Sequence, residues 1–478
     1  MNPYPAYRNS GVEWLEDVPA HWEVAPLGRI GRFFKGSGGT KADETEEGVP
    51  CVRYGDLYTH HDFHIASSRA YVARSVAAKT YTPIQFGDVL FAGSGETIDE
   101  IGKSAANLMV DQACCGGDVI VFRPSVESNA RFLGYATDCQ PAARQKARMG
   151  RGFTIIHIYG NDLKSLAMPI PPVPEQVAIT GFLDHATSRI DRYIGVKKKL
   201  IALLGEQKRA IIHEAVTGQI DVRTGRPYST YKPSGIEGLS DVPNHWIRMR
   251  LKSVLRSVDR RSTTGTETLL SLRREHGVVV YADHFTHPPQ GETVGFKLVR
   301  AGELVVNRLQ ANNGLVFSSN INGLVSPDYS VFETKTPVQT QYLSDLVRTE
   351  GYRAYFRQEA RGLGTGTSGF LRLYDDAFLN TVVHLPPLAE QRLILRTLRD
   401  AERGMNALIA NVRRQLELMT EFRASLISNL VTGKLDVRNV AAELPNMDPF
   451  ACEVRGVAVV TESNPKVAEL GGTQELNP

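Results

Sequence analysis

PPVPEQ (Pro171–Gln176) begins a stretch that ends with VTGQIDVR at Arg223, and PPLAEQ (Pro386–Gln391) begins a second stretch that ends with VTGKLDVR at Arg438. Equivalent residues lie 215 positions apart throughout, from 171 and 386 to 223 and 438, without a gap. An internal repeat decides the architecture, because each copy is expected to form the same structural element. The sequence therefore predicts one long element that occurs twice.

Each copy predicts a single long helix with a defined start and end. The paired prolines end the preceding element, and Glu175 or Glu390 then places a negative charge in the first turn, where it favours the helix dipole. Gly218 and Gly433 stand where a residue in the left-handed conformation ends a helix.

Apolar residues in both copies recur at alternating spacings of four and three, which is the heptad pattern of a coiled coil. A seam this narrow needs a partner helix, and the other copy supplies one. We therefore expect the two helices to pair antiparallel over a length of about 60 Å. For one copy alone, an ordinary core helix or a coiled coil that only dimerises the protein is the alternative. The expected interface residues are Ile179, Leu183, Ile190, Leu200, Leu204, Ile211, Ile394, Leu398, Met405, Leu408, Val412, Met419, Phe422 and Leu426.

The composition excludes several classes of protein. The 478 residues suffice for several domains, and we find no signal peptide and no apolar run of membrane-spanning length. The five cysteines include no CxxC pair, which argues against a disulfide framework or a zinc ribbon. We therefore expect a soluble, cytoplasmic protein. The net charge of +3 is too small to indicate a nucleic-acid partner, so any DNA surface must come from local clusters of charge.

A second repeated element marks the domain layout. SGVEWLEDVPAHW begins at Ser10 and SGIEGLSDVPNHW at Ser234, 224 positions later. Short strand patterns broken by glycine and proline follow each copy, which predicts an α+β protein: two α/β domains related by a pseudo-twofold axis and joined by an antiparallel coiled coil. The predicted ranges are 1–170 for the first domain (repeated segment 10–30), 171–223 for the first spacer helix, 224–385 for the second domain (repeated segment 234–254), 386–438 for the second spacer helix and 439–478 for a flexible tail.

Catalytic motifs are absent or incomplete. IGKS at residues 101–104 resembles the end of a P-loop, but Thr97 replaces the glycine that the motif requires. GTGTSG at residues 364–369 follows a helical pattern and precedes a strand pattern, the reverse of a dinucleotide-binding turn. His60, His61 and His64 lack a second group of ligands, so we interpret them as an exposed loop. The sequence predicts no catalytic residues and no metal site.

Polar loops suited to DNA remain in both domains. Arginine can contact guanine in a bidentate manner, asparagine and glutamine can do so with adenine, and arginine beside glycine can approach a phosphate closely. A solvated turn is the alternative for any one of these residues. The candidate DNA-binding residues are Ser94, Thr97, Lys103, Arg148 and Arg151 in the first domain, and Arg308, Gln310, Asn312, Asn313, Arg361 and Thr365 in the second.

The paired motifs in this order resemble the specificity subunits of type I restriction-modification systems. The likeness extends from Ser10 to Arg438 and rests on the repeated PPxxEQ helices, their VTGxxDVR ends and the two DVPxHW segments. It implies two target recognition domains, each reading one half of a split, asymmetric DNA site, on a subunit without catalytic residues of its own. Base-contacting residues cannot be transferred from the family.

The resemblance also implies partners and their cofactors. Two modification subunits would bind S-adenosylmethionine and methylate adenine, and restriction subunits would use ATP and magnesium, so we expect no cofactor on this chain. Two other interpretations stay open from the residues themselves. The chain could serve a methyltransferase-only system, or it could be a non-catalytic two-domain scaffold that binds proteins.

Overall fold

The computed structural model describes residues 2–236, 238–285, 287, 292–363 and 370–444. Its contacts divide the chain into two compact units, residues 1–195 with 416–478 (unit 1) and residues 196–415 (unit 2). Two helices of 44 residues each contribute to both units. The predicted α+β class with two domains and two long helices is confirmed.

Unit 1 contains most of the strands. Its strands are β1 Tyr7–Asn9, β2 Asp17–Pro19, β3 Glu23–Pro26, β4 Gly31–Lys35, β5 Glu44–Thr45, β6 Val49–Val52, β7 His64–Ile65, β8 Ala70–Val72, β9 Thr82–Ile84, β10 Val89–Ala92, β11 Ser94–Gly95, β12 Ser104–Asn107, β13 Ala113–Cys115, β14 Val119–Pro124, β15 Ile156–His157 and β16 Ala167–Ile170. Its helices are α1 Leu27–Ile30, α2 Tyr54–Thr59, α3 Arg74–Thr80, α4 Ala130–Asp138, α5 Gln140–Met149, α6 Gly160–Leu163 and the first part of α7 Val173–Val216.

Unit 2 repeats the plan with fewer strands. Its strands are β17 Tyr231–Lys232, β18 Val242–Pro243, β19 Ile247–Arg250, β20 Leu255–Val258, β21 Leu270–Arg273, β22 Gly277–Val280, β23 Lys297–Val299, β24 Leu304–Asn307, β25 Val316–Ser318, β26 Gly323–Val325, β27 Tyr329–Thr334, β28 Arg361–Leu363, β29 Phe370–Arg372 and β30 Val382–Leu385. Its helices are α8 Thr340–Val347, α9 Glu350–Glu359, α10 Asp375–Asn380 and the first part of α11 Leu388–Val431, after which α12 Arg438–Ala442 belongs to unit 1.

The sheets differ between the units, whereas the strands beside the long helices match. Unit 1 has two five-stranded sheets, in the orders β4-β14-β10-β12-β7 and β5-β8-β6-β13-β9, while the largest sheet of unit 2 is β20-β27-β24-β25. The pairs β1–β2 and β3–β16 in unit 1 correspond in register to β17–β18 and β19–β30 in unit 2. Each unit is therefore a shared base that carries a different sheet domain.

The two long helices pack antiparallel within each unit. In unit 1, Arg423 Nε of α11 lies 3.1 Å from Asp191 Oδ1 of α7. In unit 2, Lys208 Nζ of α7 lies 3.2 Å from Glu402 Oε1 and 3.4 Å from Asn406 Oδ1 of α11. Since 208 and 423 are equivalent by the 215-residue repeat, a cation at the same position of each helix pairs across to the other helix.

Most of the expected seam residues face the interior. Leu408 and Phe422 do not, because their side chains are 45% and 53% exposed. An α-helix has 3.6 residues per turn, so a strict seven-residue spacing drifts around its surface. On α11 the covered positions move to Ile409 and Arg423, each one residue further along. Buried seam residues are Ile179, Leu183, Ile190, Leu204, Ile394, Leu398, Val412 and Leu426, and half-buried ones are Leu200, Ile211, Met405 and Met419.

A buried glutamate fastens the repeated segment of unit 1 to the start of α7. His21 Nε2 lies 2.8 Å from Glu175 Oε2, and Trp22 Nε1 donates to Glu175 Oε1 at 3.1 Å. The Tyr4 hydroxyl lies close by, and burial is the main cause of its raised pKa. We call Glu175 with His21 and Trp22 the carboxylate anchor of unit 1.

Unit 2 contains the corresponding anchor at the start of α11, with a tyrosine as a third donor. Tyr228 Oη donates to Glu390 Oε1 at 2.6 Å, His245 Nε2 lies 2.8 Å from Oε2, and Trp246 Nε1 donates to Oε1 at 3.1 Å. Burial by itself would raise the pKa of Glu390, but these hydrogen bonds outweigh it and lower that pKa. The glutamate of each PPxxEQ motif is thus held by the histidine and tryptophan of the HW motif.

The glutamine that follows each glutamate connects the helix to the sheet domain. Gln176 Nε2 donates to the carbonyl of the first proline of its motif at 2.8 Å, and its Oε1 accepts from Asn129 N at 2.8 Å. Gln391 makes the same two bonds, at 2.9 Å to its proline carbonyl and at 3.0 Å from Gln339 N. Both bonds fix the helix that follows β14 or β27 to the start of the long helix.

The end of each long helix meets the repeated segment of the unit in which it finishes. Gly218 has φ +76° and Gly433 has φ +75°, as expected for residues that end a helix. A Cβ at Gly218 would lie 2.4 Å from Pro243 Cδ, and one at Gly433 would lie 2.3 Å from Pro19 Cδ. Glycine is required at both positions for its conformation and for this close approach.

Candidate nucleic-acid interface

Two of the predicted loops of unit 1 come together at His157. Ser94 lies on β11, which pairs with β15, and its Oγ lies 3.0 Å from His157 Nδ1. Arg151 exchanges two backbone hydrogen bonds with His157, at 2.9 and 2.7 Å. The predicted residues Ser94 and Arg151 thus flank one residue that the sequence analysis did not select.

Lys103 does not belong to this surface. Its Nζ lies 2.5 Å from Asp138 Oδ2 and 3.5 Å from Asp62 Oδ1, and its side chain is 23% exposed. Burial opposes the charged form, but the two carboxylates outweigh it and raise the pKa of Lys103. Because its charge is neutralised inside unit 1, the structure offers no support for a phosphate contact. Thr97 is exposed, and its Oγ1 donates to Glu100 Oε2 at 3.2 Å.

Two arginines at the end of α5 are exposed to solvent. Arg148 lies on the last turn of the helix, where a cation also favours the helix dipole. Arg151 follows after Gly150, and its side chain is 71% exposed even though it pairs with Asp162 at 2.8 Å. Both side chains are accessible to a phosphate backbone.

A shallow groove of about 300 Å³ adjoins Ser94 and His157. The rings of His157 and Tyr159 stack with centroids 6.5 Å apart and an interplanar angle of 24°, and Tyr159 is 56% exposed. The exposed lysines Lys35 and Lys164 line the same groove. Aromatic faces beside lysines suit nucleobases and phosphates. The sequence pattern that could have indicated this groove is the FTIIHIYG strand, in which Tyr159 is left on the outer side.

In unit 2, Arg308 supports its own loop. Its Nε donates to Asp328 O at 2.7 Å and its NH2 donates to Pro327 O at 3.1 Å, while the side chain is only 20% exposed. These bonds use two of the five guanidinium N–H donors, and the low exposure of the side chain limits its reach to a guanine edge. The sequence predicted a polar loop after this strand with Arg308 as a base contact, and in the structure the arginine stabilises that loop.

The other predicted residues of this loop remain accessible. Gln310 is exposed, and Asn312 and Asn313 are partly exposed on a short 3₁₀ turn that follows β24. Arg353 Nε donates to the backbone carbonyl of Asn312 at 3.3 Å, which holds the turn against α9. Gln310 is thus the most exposed of these three amides.

The two sheet domains place their loops alike. Leu373 N donates to Arg308 O at 2.9 Å, and at the equivalent positions of unit 1 Ile158 N donates to Gly93 O at 3.1 Å. Arg361 is exposed at the start of β28, whose hairpin with β29 corresponds to the loop before β15. The predicted residue Thr365 and the GTGTSG loop lie outside the described residues.

The histidine segment of unit 1 is only partly an exposed loop. His64 begins the paired part of β7, its Nε2 bonds with Arg131 O at 2.9 Å, and its ring meets Tyr135 edge-on at 4.7 Å. Burial is the main cause of its lowered pKa. The expectation of an exposed loop is therefore wrong for His64. Asp62 instead forms a hydrogen-bonded ion pair with Arg423 NH2 of α11 at 2.5 Å.

Within the described ranges, none of the helices carries an apolar stretch long enough to cross a lipid bilayer. The same ranges contain no group of three or more side chains arranged to bind a metal ion.

Comparison with known proteins identifies similar chains. The family described as "Type I restriction modification DNA specificity domain" matches residues 19–201. The specificity subunit of the type I restriction enzyme MjaVIII of Methanocaldococcus jannaschii is 22% identical over 461 residues, which are 88% of this chain and 95% of that protein. The specificity subunit of the type I restriction enzyme EcoKI of Escherichia coli K12 is 20% identical over 469 residues, which are 95% of this chain and 97% of that protein.

A solved structure has a similar fold. It comes from work on complex assembly and conformational transition of a type I restriction-modification system, and it aligns with 87% of this chain and 99% of its own with a TM-score of 0.62 and 15% sequence identity.

Proposed function

We propose that this chain is a specificity subunit of a type I restriction-modification system, and that each of its two units reads one part of a split, asymmetric DNA site. Arginine and amide side chains on the loops of each sheet domain would contact phosphates and base edges. The chain itself supplies specificity, and its partners supply the chemistry.

One observation carries this proposal: the two units share their anchors but differ in their sheets. The His–Glu distance is 2.8 Å and the Trp–Glu distance is 3.1 Å in both carboxylate anchors. The sheets mounted on these anchors have different strand numbers and orders. Identical attachment of two different sheet domains is expected of a protein in which each domain binds a different sequence of the same duplex.

Exposed apolar residues at equivalent positions of the helices support two copies of one partner. Tyr193 and Leu408 are 38% and 45% exposed, and Leu203 and Leu418 are 50% and 47% exposed. Each pair is related by the 215-residue repeat, so each unit presents one member of both pairs. Single exposed apolar residues are common, but exposure that recurs at equivalent positions of both helices suits a repeated protein contact. We assign these positions to two modification subunits, one on each unit.

The remaining parts of the proposal concern the assembly. The modification subunits would bind S-adenosylmethionine and methylate adenine, and restriction subunits would use ATP and magnesium. The complex would act in the cytoplasm, where chromosomal DNA is accessible. The two 44-residue helices would set the spacing between the half-sites, as dimer geometry does in simpler repressors.

A band-shift titration of the chain assembled with its modification subunits tests the DNA-reading role. We expect tight binding to a duplex that carries the methylated site, which methylome sequencing of an expressing host would first identify. Affinity should fall steeply with salt as phosphate contacts release counterions. Equal affinity for site-bearing and scrambled duplexes at all salt concentrations would refute the proposal.

Insertion of one heptad into both α7 and α11 tests the role of the helices. The spacing between half-sites should lengthen while the bases of each half-site stay the same. A matched insertion in the loop between β21 and β22 should alter neither. Methylome sequencing reports both properties. An unchanged spacing in the helix variant would refute the proposal that the helices set it.

A further inference from the structure

Phe153 stands out as an aromatic side chain that is fully in water. It is 101% exposed, and no other large apolar side chain in the described ranges reaches that value. Ile155, two residues further on, is 55% exposed. Phenylalanine normally packs against other groups, so an exposed ring at a loop tip is available to a binding partner.

The loop that carries Phe153 is firmly closed. Arg151 and His157 exchange two backbone hydrogen bonds, which enclose the five residues between them. Gly152 has φ +132°, and a Cβ there would lie 2.1 Å from Ile155 O, so only glycine fits this turn. Ile156 is 7% exposed and holds the base of the loop in the core. The tip is therefore a fixed projection of unit 1.

Positive charge surrounds this projection. Arg144 and Arg148 are one turn apart on α5 and exposed, and Arg151, which pairs with Asp162 at 2.8 Å, directly precedes the turn with its side chain 71% exposed. Ser94 contacts His157 at the base of the loop, so the projection continues the candidate nucleic-acid interface. A cationic collar favours a polyanion over an apolar protein surface as the partner.

We propose that Phe153 is a wedge that inserts between neighbouring base pairs of the DNA bound by unit 1. Proteins that deform DNA use apolar wedges flanked by basic residues to unstack a base step. Arg148 and Arg151 hold the phosphates beside the step while the phenyl ring replaces the lost base stacking. Sequences with an easily unstacked pyrimidine–purine step at this position are favoured without a base contact. The proposal rests on the DNA-reading function and adds a distortion that reading alone does not require.

The test uses the full chain assembled with its modification subunits on duplexes that carry 2-aminopurine at each adenine of the site in turn. The methylated adenines are left out, because methyltransferases extrude their target base and brighten the probe there. With wild-type protein, we expect a bright probe at one further step in one half-site. Phe153→Ala should abolish that signal and weaken binding roughly 5- to 150-fold, the range for loss of an aromatic–base stack.

Two control variants sharpen the result. Phe86→Ala removes another exposed phenyl ring of unit 1, which is 58% exposed, and it should change neither the signal nor the affinity. Phe153→Trp should retain the signal, since indole also stacks between bases. Because Phe153 is fully exposed, its replacement should leave the unfolding midpoint unchanged.

Several outcomes would overturn the wedge. The first is a wild-type complex in which no base step is unstacked apart from the methylated adenines. The second is a Phe153→Ala complex that keeps the 2-aminopurine signal. The third is a Phe153→Ala chain that no longer binds the modification subunits. The last result would place Phe153 in a protein interface. Failure of the wild-type complex to prefer its site would instead refute the DNA-reading function, so the two failures are distinguishable.

Discussion

Replacement of Glu390 by alanine tests the carboxylate anchor of unit 2. The substitution removes the acceptor for Tyr228 Oη, His245 Nε2 and Trp246 Nε1, which lie 2.6, 2.8 and 3.1 Å away. His245 is 44% exposed and can bond with water instead. Two bonds to an ionised acceptor are therefore lost without full replacement, at about 1.5–3 kcal/mol each before the donors are partly rehydrated. We expect a loss of about 2–4 kcal/mol in the free energy of unfolding.

Urea unfolding followed by tryptophan fluorescence measures this loss. Trp246 is the only one of the three tryptophans in unit 2, so its signal reports the unit in which the anchor is broken. With a slope of about 1–3 kcal/mol per molar urea, the midpoint should fall by roughly 1–2 M. Glu359→Ala, at an exposed carboxylate of the same unit, is the matched control and should shift it by less than about 0.3 M.

The anchor also predicts a functional result. Since Glu390 holds only unit 2, Glu390→Ala should weaken recognition of one half-site and leave the other intact in a methylome readout. Glu175→Ala should do the reverse. A midpoint for Glu390→Ala equal to that of Glu359→Ala would show that the carboxylate does not fasten the helix, and the reasoning would be refuted.

Three further predictions concern charged and polar groups elsewhere in the chain. Burial raises the pKa of Asp345 to about 6, so its protonated form is favoured in the fold, and the stability it contributes at low pH is lost as pH rises through 6. Asp345→Asn should therefore stabilise unit 2 by at most about 3 kcal/mol at pH 8 and by nothing at pH 4. Urea unfolding at the two pH values measures this difference, and equal effects at both would contradict the prediction. Arg423→Met should lower the free energy of unfolding by about 1–2 kcal/mol, because it breaks the ion pairs with Asp62 and Asp191. Lys208→Met should lower it by less than about 1 kcal/mol. A double-mutant cycle with Asp62→Ala measures the coupling between Arg423 and Asp62. Arg308→Ala should lower the unfolding midpoint without changing the recognised bases, whereas Gln310→Ala should change base preference in one half-site; methylome sequencing that gave the opposite assignment would place Arg308 at the bases.

The sequence predicted the parts of the fold that depend on local pattern. The repeat of PPxxEQ and VTGxxDVR gave two helices, and they extend over Val173–Val216 and Leu388–Val431, close to the predicted starts and ends. Heptad spacing predicted antiparallel pairing because a narrow apolar stripe must be covered. It failed at Leu408 and Phe422, where a small change of helix rotation covers the next residue, Ile409 or Arg423, instead.

Side-chain partners could not be predicted in the same way. Glu175 was interpreted as a charge for the helix dipole, but it also accepts a hydrogen bond from Trp22, which is 153 residues earlier in the chain. Lys103 and Arg308 have suitable chemistry for DNA, yet the charge of Lys103 and two donors of Arg308 are used inside their own units. A side chain's type states what it can bind, and only its neighbours determine whether that capacity is left for a ligand.

What the sequence alone determined was the duplicated frame, because repeats and periodicity are properties of the order of residues. What the tertiary structure decided was how the frame is fastened and which groups remain exposed. The two carboxylate anchors and the projecting Phe153 arise from contacts between distant segments and from the absence of such a contact at the tip of one loop. Their distances depend on how sheets and helices pack, and no local pattern of residues encodes that packing.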